Sequence, residues 1–286
     1  MKAAPRASLS ELFLGISSLL STKKKPVAVA TVSFTMLLAV GAAALQFKTQ
    51  HIEDQLMGEF SMTEEVFMTT LDTQINGLSE MEFPQFVQAT GYHFGPNPVH
   101  DAPAEEYKLG LRYLRRTLPF VLARIVFDIV VMFVAGVFFL LLFTAGAQSA
   151  YESARRLPGA VISMISLMFW MLLRSLIWIP IIGPAIALYM LPRLALAPIF
   201  LASGEAGIRE SVQLSMKRTS GHWASVFVKL LLIGLTSLLI LWPLLVLVVA
   251  TSLFSVKIGY ILLLLSAIFI IAYQCAGLTV LAVMMA

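Results

Sequence analysis

Cysteine, histidine and charge are all scarce in this chain. Cys275 is the lone cysteine among 286 residues and lies inside an apolar run, so no internal disulfide can form. The four histidines, His51, His93, His100 and His222, all fall outside the long apolar runs. His93 and His100, with Asp101 beside the latter, match no compact zinc spacing and have no cysteine near them. They read as loop histidines, and neither a metal ligand nor a cofactor is assigned. The apolar runs carry no nucleophile–base pair, and the glycines form no phosphate loop. No catalytic residue is nominated and a non-enzymic class is expected. Charged residues make up only 13% of the chain, where soluble domains hold about a quarter. The net charge of +4 is small and scattered, which argues against a nucleic-acid partner.

What fills the chain instead is apolar. Ala, Val, Ile, Leu, Met and the aromatics with Cys reach 59%, and the mean hydropathy is +0.87. A membrane-crossing helix needs about 20 mostly apolar residues. Six runs qualify: Pro26–Leu45, Pro119–Ala145, Ala160–Ile179, Pro184–Ala202, Ala224–Ala250 and Ile258–Met285. The expected fold is an all-α polytopic membrane bundle of six transmembrane helices. Cytoplasmic amphipathic elbow helices and one extracytoplasmic helical insertion complete it. Residues 1–25 form the N-terminal amphipathic helix, 26–45 the first span, 46–118 the insertion and 119–286 the remaining five spans.

Orientation follows the basic residues. With the N-terminus inside, ten Lys and Arg fall on cytoplasmic segments and six on outer ones. The reading is a bacterial inner-membrane protein with both termini cytoplasmic. The small residues of "GAAAL" (41–45) resemble a cleavage site, but the apolar run before them has full spanning length and favours a retained helix.

Eleven of the sixteen acidic residues lie between His51 and Glu106, so this segment belongs mainly in water. Leu56, Phe60, Phe67, Leu71, Ile75 and Leu78 keep helical spacing there. "SMTE" (61–64) has the form of a capping box, and "NG" (76–77) that of a helix stop. From Tyr107 onward, Lys108, Arg112, Arg115 and Arg116 form a basic face. That face suits either anionic headgroups at the lipid interface or a solvated extension of the second span.

"ESVQLSMKRTSGHW" (210–223) is a short basic helix between the fourth and fifth spans. Ser203 is its candidate N-cap, Glu205 stands in its first turn, and Lys217 and Arg218 in its last. Gly221 fits the left-handed position that closes a helix. Ile208, Val212, Ser215 and Thr219 share a stripe suited to close helix packing. Two further segments repeat the pattern. One runs from Leu9 to "TKKKP" (22–26), the other from Ala147 to "RRLPG" (155–159).

"RLALAPIFLASGEAG" (193–207) with "SVQLSMKRTSGHW" (211–223) resembles the glycerophosphodiester phosphodiesterase membrane-domain family of bacterial polytopic proteins. The matching positions are Arg193, Pro198, Glu205, Ser215, Thr219, Gly221 and Trp223, with Ser211 in the same segment. The resemblance implies a membrane domain and no hydrolytic activity, since no soluble segment of this sequence is large enough for a phosphodiesterase. The long acidic insertion departs from the family pattern.

Charges inside spans are costly and so point to function. Arg124 and Asp128 stand four apart on the second span. Arg174 and Arg193 fall on the third and fourth, in the outer leaflet half by residue count. Asp128 can meet Arg124 on its own helix or Arg193 on another. These four are the candidate anion- or lipid-binding residues; the alternative is one internal salt bridge with two arginines reaching the outer interface. A non-catalytic, membrane-embedded binding or scaffold component follows, in contact with anionic lipids. Its protein partners would dock through the insertion or the bundle. The alternative is a permease-like subunit for an anionic or amphipathic solute.

Overall fold

The computed structural model describes residues 8–90, 105–144, 150–175 and 183–285. Every regular element among them is helical. Six helices are long and apolar enough to cross a membrane: Lys24–Phe60, Glu105–Thr144, Ala150–Ser175, Ile186–Ser203, Trp223–Ser252 and Val256–Met284. Large apolar side chains point outward along them, with Leu238 62%, Leu239 71% and Trp242 71% exposed on a single helix. Water would penalise such a surface, and lipid solvates it. The chain is a multi-pass all-α membrane protein.

Two compact units divide it, residues 1–39 with 130–286 and residues 40–129. In the first, α1 (Leu9–Thr22) opens with a capping box. Ser8 accepts from the Glu11 amide, and the Glu11 carboxylate accepts from the Ser8 amide at 2.7 Å. Its stripe buries Leu12 and Ile16 completely or nearly so. Gly15 lets it lie close on α11 (Val256–Met284), since a Cβ there would stand 2.7 Å from Val280. α11 packs in turn on α10 (Trp223–Ser252), where Gly277 seats the Ile233 side chain and Tyr273 donates to the Thr236 hydroxyl at 3.0 Å. An aromatic ladder of Phe34, Phe138, Phe139 and Phe143, with centroids about 6 Å apart, joins the start of α2 (Lys24–Phe60) to the end of α5 (Lys108–Thr144).

Several boundaries differ from the sequence reading. Helix α2 runs on past Leu45 without a break, and α5 begins at Lys108, carrying Pro119 inside it. Each has 37 residues and is about 55 Å long at the helical rise, well beyond a hydrocarbon core of about 30 Å. Helix α6 (Ala150–Ser175) passes through "RRLPG" with Pro158 in its interior. Ser153, Met164 and Leu167 keep one buried face on both sides of that proline, and burial of the face outweighs the lost hydrogen bond. The third elbow helix is therefore fused to its span, while α1 and α9 (Ile208–Arg218) stand apart from theirs. The turn "IPIIGP" and His93, His100 and Asp101 lie wholly or largely outside the described residues.

In the second unit, α3 (Glu64–Glu80) and α4 (Phe83–Thr90) follow α2. The core is Ile52, Leu56, Phe67, Leu71 and Leu109, with Phe60 and Ile75 packed against it. Ser61 does not cap α3. It sits at φ +52 and ends α2, with Ser61 N bonded to Gly58 O and Met62 N to Met57 O, the Schellman pair. Thr63 occupies the N-cap, and Glu64 and Glu65 face the free amides of the first turn. "NG" is no stop either, for the helix continues to Glu80. Gly77 serves close approach: a Cβ there would stand 3.1 Å from the Tyr107 ring.

Candidate functional site

The fourth apolar helix is broken. α7 (Gly183–Leu194) and α8 (Ala197–Ser203) are separate, because Pro198 has no amide to give the Leu194 carbonyl. The Ser215 hydroxyl of α9 reaches across and donates to the Arg193 carbonyl at 2.7 Å. Ser211, Ser215 and Thr219 are wholly buried. Ser211 donates to the Gly207 carbonyl at 2.8 Å and Thr219 to that of Ser215 at 2.8 Å. Small hydroxyls that satisfy themselves within the helix let α9 lie close on its neighbours.

Gly204, at φ +78, ends α8, so Ser203 closes one helix and does not cap the next. Gly207 is the N-cap of α9, and Glu210 supplies the carboxylate, accepting from the Gly207 amide at 3.0 Å. Glu205 pairs instead with Arg218 at 3.6 Å, and that guanidinium also lies 4.8 Å over the Phe200 ring. Gly221 takes φ +80, a region strained for any residue with a Cβ. Beyond it, Trp223 starts α10 with its ring edge-on to Tyr189 at 5.6 Å.

The charged candidates separate. Arg124 and Asp128 form their own pair, Nε to Oδ2 at 2.9 Å and Nη2 to Oδ1 at 2.8 Å. Arg193 lies over its own helix, its Nη1 donating to the Tyr189 hydroxyl at 3.0 Å. Arg174 lines a cleft of about 260 Å³ with Trp170, Arg209 and Gln213. The Arg209 guanidinium stacks 4.9 Å over Trp170. Residue counting puts Arg174 in the outer leaflet half and the elbow that carries Arg209 on the cytoplasmic side. The break after Leu194 and the reversal at Gly204 bring α9 back along α6, so that both side chains line one cleft.

In the second unit, three of the four basic residues on the face of α5 are paired internally. Lys108 pairs with Glu105 at 2.7 Å, and Arg112 and Arg116 both reach Glu59, at 3.3 and 2.7 Å. Arg112 also lies 5.3 Å over Phe60. Arg115 has no ion pair among the described residues and is exposed.

A second cleft in the first unit, of about 360 Å³, was not singled out by sequence. Val137 and Leu141 of α5, Met164 of α6 and Leu201 of α8 form an apolar wall. Arg155 and Arg156 of α6 stand at its rim with Ser163. Arg156 reaches toward the end of α8, where a Cβ on Gly204 would be 3.7 Å from its Nη2. The only sequence signal was "RRLPG", read above as an orientation signal and a helix stop. Both clefts combine guanidinium groups with apolar or aromatic surface, a composition that takes up amphiphilic anions. Comparison of the chain with protein-family models, curated proteins and solved structures finds no match in any of the three.

Proposed function

We propose that this protein is a non-catalytic, membrane-embedded binding component for an anionic lipid or similar amphiphile. The observation that carries the reading is the cleft of about 360 Å³, with its apolar wall and the rim arginines Arg155 and Arg156. A guanidinium presents a planar fork of donors that matches a phosphate, and the wall would take the adjoining acyl chain. Arg174 and Arg209, in the neighbouring cleft, offer a second anion contact. The resemblance to the glycerophosphodiester phosphodiesterase membrane domain belongs to this proposal. Its residues Ser215 and Gly221 have structural roles in the elbow.

The test is lipid analysis of the full chain purified in a mild detergent. Anionic phospholipid should be enriched over its share of the source membrane. The double variant Arg155→Gln/Arg156→Gln should lose about tenfold of that retention, roughly 1.4 kcal/mol. Retained lipid matching the bulk membrane in both proteins would sink the reading.

In this proposal the membrane is the bacterial inner membrane and both termini are cytoplasmic. A cysteine at Thr73 in a Cys275→Ser background should react with an impermeant thiol reagent in spheroplasts, and protection there reverses the orientation. The broken fourth helix supports a second reading, a permease-like subunit for an anionic or amphipathic solute, because transporters place such breaks at binding sites. Solute uptake into proteoliposomes that depends on Arg174 and Arg209 would favour it.

A further inference from the structure

The second unit holds a concavity of its own, of about 400 Å³, within the roughly 300–1,000 Å³ typical of small-molecule sites. Thr69, Thr70, Thr73 and Gln74 line it from one face of α3, and Glu106 and Tyr107 face them from the 3₁₀ turn Glu105–Tyr107. Among the described residues that line it there is no aliphatic side chain and no cation. The site stands on packed supports. Phe67 and Leu71 of the same helix are buried in the core of the unit, Gly77 leaves room for the Tyr107 ring, and Gln74 Oε1 accepts from the Gly110 amide at 2.7 Å.

These bonds settle which polar groups remain for a ligand. Thr69 gives its proton to the Glu65 carbonyl at 2.9 Å, and Thr73 gives its own to the Thr69 carbonyl at 2.8 Å. Both oxygens are therefore left as acceptors, and the Glu106 carboxylate is a third. Gln74 has committed its oxygen to Gly110, so its amide NH₂ remains as a donor. The hydroxyls of Thr70 and Tyr107 can serve as either.

An anion would meet the Glu106 carboxylate and the two threonine oxygens presenting lone pairs. A purely donating cation would leave the Gln74 amide without an acceptor. A sugar hydroxyl gives and takes a hydrogen bond at once, and an aromatic ring beside it suits the C–H face of a pyranose. We infer that this cleft is a binding site for a neutral carbohydrate of one or two rings. It is separate from the arginine clefts and independent of the lipid reading.

The experiment uses the full chain in phospholipid nanodiscs, free of sugar-based detergent. Saturation-transfer difference NMR is recorded with maltose and with N,N′-diacetylchitobiose at roughly 10 mM, above the millimolar affinities typical of weak sites. Ring protons of at least one disaccharide should receive saturation. Thr73→Val, at an exposed position, and Tyr107→Ala should each weaken that transfer at least fivefold, with helicity by circular dichroism unchanged. Should Tyr107→Ala lose helicity, Thr70→Val takes its place with the same expected loss. No transfer to either sugar overturns the inference, as does transfer that Thr73→Val leaves intact. Equal transfer to glucuronate would overturn the neutral selectivity.

Discussion

Asp128→Asn should be the most destabilising single change among the charged residues of the spans. It removes the carboxylate that pairs with Arg124, whose side chain is only 8% exposed. Breaking a buried pair from one side costs about 3–5 kcal/mol. Helix α2 leaves room for the arginine. A Cβ on Gly41 would overlap Arg124 Nη1 and stand 2.7 Å from the Phe127 ring, so the arginine fills the notch that glycine leaves. Arg124→Gln should cost less, because the stranded Asp128 is 27% exposed and keeps part of its solvation. The double variant Arg124→Gln/Asp128→Asn should recover most of the loss, since two neutral amides leave no charge unpaired. Thermal unfolding in detergent reads all three. Additive losses would show that the pair contributes nothing as a pair.

The next largest effect is expected at Ser215. Its hydroxyl is the partner that α9 offers to the Arg193 carbonyl where the fourth helix breaks. Ser215→Ala removes no volume that matters but leaves that carbonyl without its donor, a loss of about 1–3 kcal/mol. Ser215→Thr should also destabilise, for a different reason: the site has no exposure, and an extra methyl must displace neighbours. Gln213→Ala, on the exposed side of the same helix, should change the melting temperature little, within about 0.5 kcal/mol. Unfolding curves for Ser215→Ala that match those of Gln213→Ala would mean the elbow is not tied to the break.

Local rules accounted for much of what the structure shows. The core of the second unit, with Leu56, Phe67 and Leu71, follows from three- and four-residue spacing, because burying one helix face leaves that period in the sequence. Gly221 adopts the left-handed conformation expected of it, though in the turn from Thr219 to His222 that leads into α10 and not at the helix-closing position, since Thr219 is the C-cap of α9. Six apolar stretches of spanning length are a matter of composition, and the described residues hold six such helices.

Where local signals competed, tertiary contact decided. "SMTE" carries a capping-box pattern, yet Ser61 ends the preceding helix, since both outcomes use the same short polar residues. "NG" reads as a stop, yet Gly77 serves the Tyr107 ring across a long sequence interval. Lys108, Arg112, Arg115 and Arg116 read as one basic face, turned to headgroups or to solvent, but Glu59 takes up two of them from more than fifty residues away. The clefts were beyond local reading altogether. Arg174 and Arg209 share a cleft only because Pro198 breaks a helix and Gly204 reverses the chain, and Arg155 and Arg156 gain an apolar wall only from α5 and α8. Sequence by itself determined which segments are helical and which faces are apolar, because those depend on neighbours three or four residues away. Which charges converge, and on what surface, depended on the paths of helices far apart in the chain, and only packing decides those.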